Sequence, residues 1–269
     1  MKNIILAVVS DLHVGSTVGL CPPIVELDDG GKYKLTKAQK WLWEKWLDYW
    51  KSIGGLKKKY KAEVWVVVNG DMFDGDHHQT MQIWSSNPAD WMNAADSIFK
   101  EIGAYKHFFI VRGTECHTGK SGNIEEMYAK RMNAEKDVVM GTHSWFELPL
   151  EASGVRMLFR HHGSVGMLPW TFANIINRQA VEEIIKKING EHDAELVIQS
   201  HRHKFGESGM NYPLRLVHTP AWQLRSAWGY SKPGLLSDLG GLAIICQDGK
   251  YSIEPFIYKA EKREVWKEK

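Results

Sequence analysis

Carboxylates and imidazoles gather at five places in this chain, and each place follows a short apolar run. Ser10-Asp11-Leu12-His13 follows the run from Ile4, and Asn69-Gly70-Asp71-Met72-Phe73-Asp74 follows the run from Glu63, continuing to His77 and His78. Arg112-Gly113-Thr114-Glu115-Cys116-His117 follows the run from His107. His161-His162-Gly163 and His201-Arg202-His203 close the series. Hard carboxylate oxygens mixed with imidazole nitrogens suit Mn, Fe, Zn or Co. In an extended segment, residues i and i+2 point to the same side. Asp11 can then reach one point with His13, and His201 with His203. A site of about six such groups can hold two cations, with Asp71 on a tight turn placed to bridge them. Glycines beside these residues (Gly70, Gly113, Gly163) allow close backbone approach.

The elements that must carry them alternate. Strands are expected over Ile4–Ser10, Glu63–Asn69, His107–Arg112, Val155–Arg160, Glu195–Ser200, Leu214–His218, Leu242–Cys246 and Tyr251–Ile257. The first few are almost wholly apolar, as strands covered on both faces must be. Helices fall between them. One starts at Thr36 with the capping-box partner Gln39 and is expected to end at Gly54-Gly55. Asn87-Pro88 opens a second, Asn123 with Glu126 a third, and Pro169 to Asn189 holds a fourth. The alternation predicts an α/β fold with parallel strands, and the strand-rich last third adds a second sheet or an antiparallel edge. In such folds ligands bind beyond the carboxyl ends of the strands, where all five clusters sit.

The 269 residues, with hydrophobic residues at 43%, charged residues at 25% and a net charge of +2, exclude a disordered or collagen-like chain and any strong bulk attraction to nucleic acid. One domain over 1–269 is expected, with a candidate cap around 75–100. Three cysteines (Cys21, Cys116, Cys246) make no disulfide framework and suit a reducing compartment. The apolar run Ile4–Val9 is too short for a membrane span or a secretory segment, so the expected place is the cytoplasm, with no membrane partner.

The order Asp11-x-His13, Gly70-Asp71-x-x-Asp74, a glycine turn with His117, His162-Gly163 and His201-x-His203 resembles the calcineurin-like metallophosphoesterase superfamily, over roughly residues 4–220. The resemblance implies a four-layer αββα sandwich, two mixed sheets flanked by helices, with a dinuclear metal centre activating water at the strand ends. Carried over by motif, Asp11, His13 and His203 would hold the first metal, Asp71 would bridge, and His162 and His201 would hold the second. His161 is the alternative to His162, which is preferred because it directly precedes a glycine. Asp74 would support the loop. His117 would be the general acid. Manganese is the first expectation for the metal, with Fe, Zn, Co and Mg also used in the family.

The third motif departs from the family. Gly-Asn-His is expected there, the Asn binding the second metal, and this chain reads Gly113-Thr114-Glu115-Cys116-His117. Glu115 is the preferred replacement ligand; Cys116 and Thr114 are alternatives.

The resemblance implies hydrolysis of a phosphate ester, and the lysine run and tryptophan content lean toward a phosphodiester in a nucleotide or nucleic acid. Phosphomonoesterase or protein phosphatase activity is the alternative, and so is a catalytically inactive metal-binding scaffold. Arg112 and Arg202 are candidates to hold a phosphate oxygen. Trp41, Trp43, Trp46 and Trp50 on one helix, and Trp84 and Trp91 further on, read as core packing before base stacking. The run Lys57-Lys58-Lys59 with Lys61 reads as a solvated loop that would also suit a phosphate backbone.

Overall fold

A computed structural model describes residues 2–75, 82–118, 122–163, 169–231 and 237–260. His77 and His78 lie outside the described residues. The strands in chain order are β1 (Ile4–Val9), β2 (Ile24–Glu26), β3 (Lys32–Lys34), β4 (Glu63–Asn69), β5 (His107–Val111), β6 (Ser144–Trp145), β7 (Leu148–Ala152), β8 (Val155–Phe159), β9 (Leu196–Gln199), β10 (Gly206–Glu207), β11 (Arg215–His218), β12 (Leu239–Gln247) and β13 (Lys250–Tyr258). The helices are α1 (Lys37–Tyr60), α2 (Pro88–Lys100), α3 (Glu115–Thr118), α4 (Asn123–Arg131), α5 (Phe172–Ile188) and α6 (Ala227–Ser231).

Two mixed sheets result. One has the order β13-β12-β1-β4-β5-β6, with β1, β4, β5 and β6 parallel and β12 antiparallel to β1. The other has the order β10-β11-β9-β8-β7, parallel through β11, β9 and β8 and antiparallel at both edges. Side chains alternate across each strand. Leu6 and Val8 of β1 pack with Phe159, Ile198 and Val217 in a core between the sheets. Ile5, Ala7 and Val9 face the other way, onto Leu42, Trp46 and Ile98 of α1 and α2. On the second sheet's outer face, Val197 and Leu216 meet Ile176 and Ala180 of α5. The layers are therefore helices, sheet, sheet, helix.

Local signals explain the starts of two helices. Thr36 and Gln39 make the reciprocal capping box of α1, and Asn87 caps α2 ahead of Pro88. Two expectations fail. α1 runs through Gly54-Gly55 to Tyr60 and closes on Lys61 at a φ of 49°. Ile53 and Leu56 are both buried on its inner face, and that packing outweighs about 1 kcal/mol of helix cost for each glycine. α4 starts after Gly122 without a side-chain cap. Glu126 instead accepts from the amides of His143 and Ser144, tying β6 to the helix.

The tryptophans of α1 and α2 and Trp84 lie in the core or pack against it. Trp43, Trp46, Trp50, Trp91 and Trp222 are buried, and Trp84 stacks on Tyr33. The aromatic platform for bases considered from the sequence is thus core. Among the described residues, no helix is long and apolar enough to cross a membrane.

Candidate metal centre

The five clusters meet at one end of the two sheets. The turn after β1 lies alongside the turn after β4, bonded from Asp11 N to Gly70 O (2.9 Å), His13 N to Asp71 O (3.1 Å) and Val14 N to Met72 O (2.9 Å). The two sheets are joined just behind by polar contacts: Ser10 Oγ donates to Asp11 Oδ2 (2.7 Å) and lies 2.7 Å from Thr219 Oγ1. Thr219 Oγ1 donates to Ser200 Oγ (2.8 Å), which also receives Asn69 Nδ2 (2.7 Å).

The backbone here is strained rather than extended. Asp11, His13, Asp71, His201 and His203 have φ of 51°, 46°, 49°, 69° and 50°. Left-handed backbone is uncommon outside glycine, and it gathers where surrounding structure fixes a functional conformation. The sequence places Asp11 with His13, and His201 with His203, by strand alternation. The structure brings each pair together by tight turns instead.

Four donor groups overlap: Asp11, His13 and His203; Asp11, Asp71 and His161; His161, His162 and His201; and His13, Asp74 and His117, each with ligand atoms within 4.8 Å of one another. His203 Nε2 lies 3.2 Å from Asp11 Oδ1 and 3.3 Å from His13 Nε2. His161 Nε2 lies 2.9 Å from Asp71 Oδ2, and His201 Nδ1 3.7 Å from the same oxygen. His161 Nδ1 donates to Asn69 O (2.7 Å), which fixes the tautomer and leaves Nε2 facing the carboxylates. His13 is fixed in the same way by Asp74 Oδ1, 2.8 Å from its Nδ1.

Burial would raise the carboxyl of Asp71, but the adjoining His161 outweighs it and holds Asp71 well below the usual range. Burial likewise works to lower His161, and Asp71 overrides it upward. Asp11 is held low against burial by His203. Two buried atoms, Asp11 Oδ1 and His161 Nε2, have no partner in good hydrogen-bonding geometry. Leaving buried polar atoms so is costly unless something else engages them. A divalent cation is the group this donor set fits.

Of the ligands expected from the sequence, Asp11, His13, Asp71, His201 and His203 come together here, and His162 joins them from an exposed position. The buried imidazole against Asp71 is His161, the residue placed second to His162. Glu115 is not brought in: it is exposed on α3 and belongs to none of the donor groups among the described residues. The reason is local. Gly113 packs so closely on Asp71 that a Cβ there would sit 2.2 Å from the Asp71 nitrogen, so the residue facing the site is the next one. Thr114 donates from its amide to Asp71 Oδ1 (2.5 Å) and from Oγ1 to Asp71 Oδ2 (3.1 Å). Cys116 is exposed. His117 donates from Nδ1 to Asp74 O (2.8 Å), with Nε2 3.9 Å from Asp71 Oδ2.

Arg112 is engaged by Ser144 Oγ and Glu126 and lies over Phe146. Arg202 is buried, with its guanidinium 5.5 Å from the Phe172 ring centre. Two residues that sequence reasoning missed support the turns. Gln223 Nε2 donates to Asp74 Oδ1 (3.1 Å). Glu125, fully buried on α4, accepts from the amides of Met72 (3.0 Å) and Gly113 (2.7 Å).

The description of the calcineurin-like phosphoesterase family matches residues 4–226, which include every turn described above. The chain belongs to the calcineurin-like phosphoesterases. Similar solved structures include Vps29 from Chaetomium thermophilum (10% identity, 94% of this chain and 95% of that one, TM-score 0.43). A predicted phosphoesterase from Streptococcus pneumoniae shows 11% identity over 94% of this chain and 88% of its own, with a TM-score of 0.37. A Haemophilus influenzae NAD nucleotidase shows 12% identity over 94% and 50%, with a TM-score of 0.41. No curated protein matches the chain. Calcineurin-like phosphoesterases use divalent metals, and the donor groups of this chain suit them.

Proposed function

We propose that this chain is a metal-dependent phosphoesterase with two divalent cations, acting on a phosphodiester of a nucleotide or nucleic acid. The observation that carries the reading is the overlap of the donor groups around two buried atoms, Asp11 Oδ1 and His161 Nε2, whose close polar neighbours, His203 Nε2 at 3.2 Å and Asp71 Oδ2 at 2.9 Å, are themselves donors of those groups. Asp11, His13 and His203 would hold one cation, His161 and His201 the other, and Asp71 both. When bound, such a pair supplies Lewis acidity to a phosphoryl oxygen and lowers the pKa of water toward neutrality. The chain's own part is to orient and to move a proton. With Nδ1 engaged on Asp74 O, His117 keeps Nε2 toward Asp71. As an imidazolium, carrying a second proton on Nε2, it would give that proton to the leaving alkoxide and return to the neutral Nδ1–H form, a contribution of about 10²–10⁴ in rate.

The test is hydrolysis of bis-p-nitrophenyl phosphate and p-nitrophenyl phosphate with added Mn²⁺, beside Asp71→Asn. Preferred turnover of the diester, falling at least about 100-fold in the variant, is the expected outcome. A variant that keeps wild-type turnover overturns the proposal. A second reading, a metal-binding scaffold without turnover, has one observation behind it: Thr114 stands where the family has a metal-binding Asn. Metal retained with neither ester hydrolysed would favour it.

A further inference from the structure

The third motif lacks the family's Asn, and the fourth cluster carries an extra histidine. The structure puts both departures in the same place. Thr114 Oγ1 lies 3.1 Å from His201 Nδ1 and donates to Asp71 Oδ2, so its hydroxyl is taken up by two of the donors themselves. His162 joins His161 and His201 in a group of three imidazoles. Ring centres lie 5.1 Å apart for His161 and His162, and 5.3 Å for each pair involving His201. The three rings stand edge to face, with interplanar angles of 82°, 71° and 62°. One ring nitrogen of each of the three imidazoles lies within 4.8 Å of those of the other two, close enough for all three to reach one ion. Asp71 supplies the remaining donor beside His161.

We infer that His162 is a ligand of the second cation alongside His161 and His201, taking the place of the Asn amide this chain lacks. The inference rests on the dinuclear reading above and goes beyond it in the make-up of one site. It gives the two sites different chemistry. The first has two carboxylates and two imidazoles, and the second has three imidazoles and the shared Asp71. More imidazole and less oxygen shifts preference from Mn and Mg toward Zn, Co and Fe. The second position would therefore favour zinc, cobalt or iron, and the first would tolerate manganese.

Metal binding tests this without reference to turnover. The metal-free full chain is titrated with Zn²⁺, and separately with Co²⁺ while its visible ligand-field bands are followed, at pH 7.5. Wild type is expected to take up two ions of either metal. His162→Ala is expected to keep one ion and lose affinity for the other by about 100-fold or more, since even groups that only orient ligands cost about 10–100-fold. The cobalt bands of that site should fall with it. Adding Thr114→Asn to His162→Ala restores an amide donor at the position of the family's Asn and should return the second ion. Two ions bound by His162→Ala with wild-type affinity and unchanged cobalt bands overturn the inference while leaving the dinuclear reading intact. Fewer than two ions on wild type overturns the dinuclear reading itself, and this inference with it.

Discussion

Gln223 and His13 share one oxygen: the Gln223 amide donates to Asp74 Oδ1 at 3.1 Å, and His13 Nδ1 meets the same oxygen at 2.8 Å. Asp74 thus sets the ring of His13, and Gln223 sets Asp74. His117 Nδ1 stands 3.8 Å from that oxygen as well as bonding the Asp74 carbonyl. Gln223→Leu removes the donor without touching a ligand. Outer hydrogen bonds of this kind carry about 10–100-fold in metal affinity. The expected outcome is a loss of that size at the first cation, read by competition with a chromophoric chelator. Wild-type affinity in the variant would remove Gln223 from the account.

Glu125 ties the second motif to the third. Its carboxylate takes the amides of Met72 and Gly113 from a fully buried position, and burial pushes it up to about 7. Glu125→Ala leaves both amides without that acceptor. An orphaned buried donor costs about 1–3 kcal/mol, so urea unfolding of the metal-free protein should show a loss of about 2–6 kcal/mol. A loss under 1 kcal/mol would mean that water replaces the carboxylate.

Gly113 is the position where the third motif can least change. Its missing side chain admits Asp71: a Cβ would lie 2.2 Å from both the nitrogen and Oδ1 of that residue. Backbone does not yield by that much, so Gly113→Ala must displace Asp71. Both cations should be lost from the variant, measured by elemental analysis after dialysis, while far-ultraviolet circular dichroism stays that of wild type. Full metal content would show that the turn after β5 rearranges instead.

Much of this was legible in the sequence because two periodicities carry it. Apolar runs of strand length alternate with helical faces, and the ligands fall at the ends of the runs, so Asp11, His13, Asp71, His201 and His203 could be named together. What stayed hidden depends on distances between segments far apart in the chain. Glu115 and Thr114 both carry oxygen, and only the approach of Gly113 to Asp71 decides which one faces the site. His161 and His162 are chemically identical neighbours. The contact of His161 Nδ1 with the Asn69 carbonyl, 92 residues away, selects the buried one. Gln223 and Glu125 carry no motif at all. Gly54-Gly55 misled in the other direction, because the burial of Ile53 and Leu56 is not visible from the glycines themselves.

His218 makes the last prediction, and it concerns acid. It is fully buried on β11, with Nε2 2.9 Å from Gln179 Oε1, and Gln179 Nε2 donates in turn to Gln199 Oε1 at 3.0 Å. Burial, reinforced by Arg202, pushes the imidazole down to about 3, against the ordinary value of 6.5. The folded protein therefore keeps His218 neutral where the unfolded chain takes a proton. Its contribution is fully present above pH 6.5 and is lost as pH falls from 6.5 toward 3. Within that window the slope approaches about 1.4 kcal/mol per pH unit for this one group. His218→Gln keeps a donor for Gln179 and cannot titrate. Urea unfolding of the metal-free protein at pH 7, 6 and 5 should show wild type losing stability on acidification faster than the variant, by up to about that slope. Parallel pH dependences for the two proteins would mean that His218 takes up its proton in the fold as easily as in the open chain.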